Sequence, residues 1–158
     1  MTSIRPFDRF AAMRVLAASV LCIAAGVATA AETALRTVQV RIANHPLKVE
    51  VAQREADRQK GLMFREKIAK NDGMLFIFDE PAYHSMWMKN TLIPLSVAFV
   101  DAGGTILNIL DMEPGSLESH MSAGPSIYAI ETNQGWFAEK GLKAGDKVTG
   151  LPKLVRNN

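Results

Sequence analysis

Residues 74–78, MLFIF, have no polar side chain on either face of an extended chain. Residues 97–100, VAFV, share the property, and 126–130, SIYAI, come close to it. Successive side chains of a strand point to opposite faces, so strands of this kind must be covered on both sides. A flat open sheet cannot hide them. The requirement leads to a mainly β domain of α+β type: a compact, partly closed, barrel-like single domain, with one or two short helices over its openings.

The remaining segments fit that frame. Residues 37–42, TVQVRI, alternate as a half-buried strand, and 47–51, LKVEV, alternate again after the NHP turn, so the two form a hairpin. Residues 53–69 are charged and lack β-branched residues until Ile68, which suits one or two short helices, the first ended by Gly61. Gly103 and Gly104 supply a tight turn between two apolar runs. A long irregular loop is expected over 112–125. A second helix follows Asn133, its expected cap, and closes at Gly141 with Leu142 folding back on Phe137.

The N-terminus reads differently. Arg5, Arg9 and Arg14 precede an apolar stretch over 15–27, and Ala28-Thr29-Ala30 offers a signal peptidase its small residues. The stretch is short for a membrane span, which takes about 20 residues. The expected organisation is a signal peptide over 1–30, a short tether over 31–36 and the domain over 37–155, placing the protein in the periplasm or outside the cell. No transmembrane segment is expected after cleavage near Ala30. Cleavage removes Cys22, the one cysteine, and also three Arg and Asp8. Of 18 basic and 16 acidic side chains, 15 of each remain, so nothing in the net charge points to nucleic acid.

Catalytic signatures such as G-x-S-x-G, H-E-x-x-H or a phosphate-binding glycine loop do not occur. The unusual stretch is 84–95, HSMWMKNTLIPL. As a strand it would set His84, Met86 and Met88 on one face and Trp87 and Lys89 on the other. The first set has the soft donors that Cu(I) prefers, yet two methionines equally fill core space. Lys89 needs a partner or an exit to water, and Glu131 is the candidate partner. The charge on Lys89 then serves either a structural ion pair or the reception of an anionic group.

The blocks RQKGLMFRE, GMLFIFDE, WMKNTLIPLSVAFVD, MEP, YAIETNQGW and KGLKAGDKV occur in this order. Together they resemble domain-of-unknown-function family 192, from about Val38 to Leu154. The resemblance implies a small barrel-like domain and no established reaction. It departs at Met86, where an aromatic residue is usual, at Ser96, where Asp is typical, and at Gln53, which replaces a Thr that would cap the first helix. An atypical Met86 weakens any copper role.

The resulting expectation is an exported envelope protein that acts as a non-catalytic binding module, without cofactor or metal, for a small or peptide-like ligand or an envelope protein partner. Its candidate ligand-binding residues are Arg58, Lys89, Asn90 and Glu131. The alternatives are Cu(I) handling by His84, Met86 and Met88, and an unrecognised enzyme using Lys89 and Glu131. Met86 and Met88 are expected to be buried, and Trp87 to pack on the opposite face and contribute most to stability.

Overall fold

The computed structural model describes residues 34–152. The expected signal segment, the first part of the expected tether and residues 153–155 lie outside the described residues. Strands β1 (Thr37–Ile42) and β2 (His45–Ala52) form the expected hairpin. Helix α1 (Glu55–Lys60) and an irregular segment then lead to β3 (Asp72–Ala82), which runs parallel to β2. Strand β3 is longer than its apolar core, because its register shifts between Ile77 and Ala82 and carries the chain through Asp79, Glu80 and Pro81. After β4 (Ser85–Met86) come the hairpin of β5 (Leu95–Val100) and β6 (Ile106–Met112), then β7 (His120–Met121) and β8 (Ser126–Asn133). Helix α2 (Trp136–Glu139) and β9 (Val148–Thr149) follow.

The seven-stranded sheet has the order β6-β5-β8-β3-β2-β1-β9, and β4 and β7 make a separate two-stranded ribbon. The sheet curls until its edges touch at one end. There Val148 N–H donates to Gly104 O at 2.8 Å, and Ile106 N–H to Asp146 O at 3.0 Å. The barrel is therefore partly closed, as the doubly apolar strands require.

Alternation divides the core in two. Leu75, Ile77, Ala98, Val100 and Ile130 point into one cluster with Val40, Val49, Trp136 and Phe137. Their neighbours Met74, Phe76, Val97, Phe99 and Ala129 point into a second cluster, closed by Leu62, Met88 and Ile93. Each face of the central strands thus has its own apolar filling, and each fully buried side chain contributes about 1.5–3 kcal/mol. The second cluster is the one that positions the site, because its lid is made of loops.

One local expectation needs correction. Asn133 does not cap α2: the N-cap is Gly135, and the Asn133 amide instead donates to the Ala69 carbonyl at 3.0 Å. The α2 ending is as expected, with Leu142 N–H bonded to Phe137 O at 3.0 Å. The start of α1 has no side-chain cap, in keeping with the Gln53 departure. Among the described residues, no helix is long and apolar enough to cross a membrane.

Candidate functional site

Residues 83–91 do not form a continuous strand. Only Ser85 and Met86 pair, with Met121 and His120. The segment lies across the second core cluster as part of its lid. Ser122 N–H holds His84 O, Met88 N–H holds Ser116 O, and Phe64 N–H holds Asn90 O, each at 2.9 Å. Asn90 turns the chain with a left-handed φ of 55°.

The expected division by face survives, but only one face is covered. Met88 is fully buried and Met86 partly so. Trp87 points away and is 50% exposed, so it is not the buried anchor expected of it. The reason is topological: a strand inside the sheet would have had packing on both sides, whereas a lid has it on one. Lys89 lies over the exposed indole, its Nζ 5.3 Å from the ring centroid.

Beneath this lid is Glu131. It sits on β8 opposite Met74 of β3 and Val97 of β5, only 3% exposed. Among the described residues, no hydrogen bond or ion pair reaches its carboxyl, and burial alone pushes that group up to about 8. Its backbone is held tightly from the side. A Cβ on Gly73 would come within 2.3 Å of the Glu131 carbonyl oxygen, so only glycine fits there. Gly73 follows Lys70, Asn71 and Asp72, residues that read as a turn in the sequence, which hides this constraint.

Two adjoining cavities give the carboxyl its surroundings. The larger, about 500 Å³, is a groove between α1, the end of β3 and residues 84–87. Glu55, Asp79 and Glu80 line it with Arg58, His84 and Trp87. The smaller, about 30 Å³, shares Arg58, Gln59, Phe76, Met86 and Trp87 with the groove and includes Met63, Thr91 and Glu131 in its walls. That is room for one water-sized group.

Of the four candidate ligand-binding residues, the structure brings Arg58 and Glu131 to the same small cavity. Arg58 is already engaged: its guanidinium donates to the carbonyls of Gln53 at 2.5 Å and Ile77 at 3.0 Å, and it pairs with Glu55 at 2.7 Å and Asp79 at 2.9 Å. Lys89 and Asn90 lie on the outer lid. Lys89 is exposed and makes no ion pair with Glu131 among the described residues. Asn90 braces the lid, its amide 4.0 Å from the Met63 sulfur.

The copper candidates are likewise spread out. His84 stacks on Phe78 with centroids 3.7 Å apart, and its Nε2 lies 3.1 Å from Glu80 O. Met88 lies in the apolar cluster and lines neither cavity. Ser96, the departure from the family pattern, is satisfied on the other side of the sheet: its hydroxyl donates to Asp111 and accepts Gly135 N–H at 2.9 Å.

Chance sequence patterns could not have exposed the groove acids. Asp79 and Glu80 lie in DEPA, which reads as a turn, and Glu55 lies on a charged helix where acids are commonplace.

Comparison with known proteins agrees with this architecture. A solved structure from Sinorhizobium meliloti 1021, provisionally described as a transcription regulator, is 36% identical with a TM-score of 0.72. The match covers 74% of this chain and 95% of that one. A protein of unknown function from Novosphingobium aromaticivorans DSM 12444 is 35% identical with a TM-score of 0.70, over 72% of this chain and 85% of its own. No curated protein matches. The family model DUF192, described as "Uncharacterized ACR", matches residues 37–150. With that span matched, the chain belongs to domain-of-unknown-function family 192.

Proposed function

We propose that this chain is an exported binding module, periplasmic or secreted, that receives a small or peptide-like ligand in the groove leading to Glu131. The observation that carries the reading is the carboxyl of Glu131, buried and without a partner among the described residues, at the wall of a small cavity that adjoins an open groove. A buried polar group costs stability unless something pairs with it. Perturbed acids beside concave surfaces are where ligands are found.

The surface around the groove supports the same reading. Phe64, Tyr83, Trp87, Leu92, Leu117 and Met121 are the large apolar side chains exposed among the described residues. They lie on three segments that backbone hydrogen bonds tie into one lid. Exposed apolar side chains gathered on one face are characteristic of interaction sites. Export rests on the Arg-rich start, the apolar stretch and the Ala-x-Ala site of residues 1–30.

Amide and indole NMR tests the reading. Short peptides of neutral, acidic and basic composition at millimolar concentration are titrated into the ¹⁵N-labelled protein. At least one should shift the Trp87 indole N–H together with amides of residues 58–61. If none moves either signal, the groove is not a binding site.

A further inference from the structure

The binding reading leaves open what the cavity selects. The expected anionic group is a poor match, because Arg58 is taken up by four acceptors and Lys89 lies over Trp87. Resting on the groove reading, we infer that the ligand carries a primary ammonium on a flexible alkyl stem, inserted into the small cavity as the partner of the Glu131 carboxylate.

Four features converge on this choice. The one deeply buried acid of the site has no partner among the described residues. The groove leading to it carries Glu55, Asp79 and Glu80, and its single arginine is paired with two of them, so the approach favours positive charge. Trp87 forms part of both cavities, and its ring already attracts one ammonium, that of Lys89, as aromatic faces do. Finally, about 30 Å³ gives room for a compact polar head such as an ammonium. Methionine walls from Met63 and Met86 suit an alkyl stem.

The charged groups on the cavity wall are Arg58 and Lys60, both from α1; β3 and the lid contribute Phe76, Met86, Trp87 and Thr91. Binding an ammonium requires the carboxyl to ionise. A site that is protonated when empty therefore releases a proton on binding, about one per site at pH 7 and almost none above pH 9.

The test is calorimetry with n-pentylamine, with 1-pentanol as its neutral counterpart, in buffers of different ionisation enthalpy. Pentylamine should bind with release of about one proton at pH 7, and pentanol should bind at least 100-fold more weakly. Glu131→Gln should lower pentylamine affinity by a similar factor. The proton count uses the unaltered protein, so it stands even if that variant folds poorly. Comparing pentylamine with a blocked Gly-Lys-Gly peptide separates a free amine from a lysine side chain as the source. Equal affinity for pentanol, or no proton release, overturns the ammonium inference. A Glu131 carboxyl that titrates in the ordinary carboxylate range, and moves up only in Lys60→Met, also overturns it, because Lys60 would then be the occupant. Neutral or acidic peptides that shift the Trp87 indole while pentylamine does not would overturn the ammonium alone. Silence from every probe removes the groove reading itself.

Discussion

Replacing Glu131 with Gln removes one titrating group from the core without changing its shape. In the folded protein burial raises this carboxyl from 4.5 to about 8. The folded state therefore keeps a proton that the unfolded chain releases. Stability from this group is fully present below 4.5 and is lost as pH rises toward 8, above which the loss is complete. At about 1.4 kcal/mol per pH unit, the interval corresponds to about 5 kcal/mol. The Gln variant lacks this slope. Urea denaturation of both proteins at pH 5, 6, 7, 8 and 9 measures it directly, given unchanged m-values. The variant minus wild-type difference should grow in the variant's favour by several kcal/mol from pH 5 to 8 and then level off. A buried Gln amide adds an offset that pH does not alter. Glu50, held below its usual range by the hydrogen bonds and charge of Arg65, contributes in the opposite sense but equally in both proteins, so it cancels. A difference that stays flat across this range would refute the claim that burial without a partner among the described residues raises the Glu131 carboxyl.

Other outcomes follow from the same geometry. Gly73→Ala forces a methyl into the Glu131 carbonyl and should cost about 2–3 kcal/mol by urea denaturation; a neutral change would show that β3 and β8 are not so closely apposed. Trp87→Ala should cost only about 1 kcal/mol, because the indole is half exposed, yet abolish the ligand-induced shifts of residues 58–61. Competition with a Cu(I) chelator should show no tight site, and metal transfer that depends on Met86 would contradict this. Mass spectrometry of the periplasmic fraction should find a mature start at or within a residue or two of Ala31, and a full-length membrane-bound chain would remove the export proposal.

The strand skeleton was legible because alternation is a local property. Residues 74–78 and 97–100 announce two covered faces, and the structure fills each face with its own cluster. The same parity put Met88 inward and Trp87 outward. What parity cannot say is whether anything packs on the outward side, and Trp87 is left half exposed with Lys89 over its ring. Glu131 could be singled out as an acid in an apolar strand, but its partner could not be assigned. Which side chain faces it depends on how α1 and the lid are laid over β8, through contacts between Phe64 and Asn90 and between Met88 and Ser116 that are remote in sequence. Arg58 reached the same cavity as Glu131, while Lys89, the candidate partner, went to the surface.

The meeting of the sheet's edges has a consequence for how the chain must fold. Strand β1 has β2 on one side, and on the other it waits for Val148 and Thr149, the last strand among the described residues. The tip of the β5–β6 hairpin waits for the same segment: Gly104 O accepts Val148 N–H, and any side chain on Gly104 would press within 2.6 Å of the Val148 carbonyl. Until residues 145–149 arrive, a nascent chain carries two exposed strand edges at once, the arrangement most prone to pairing with a neighbour. Five residues near the C-terminus therefore act as a clasp, and a chain cut before Gly145 should accumulate as aggregate rather than as a slightly weakened monomer.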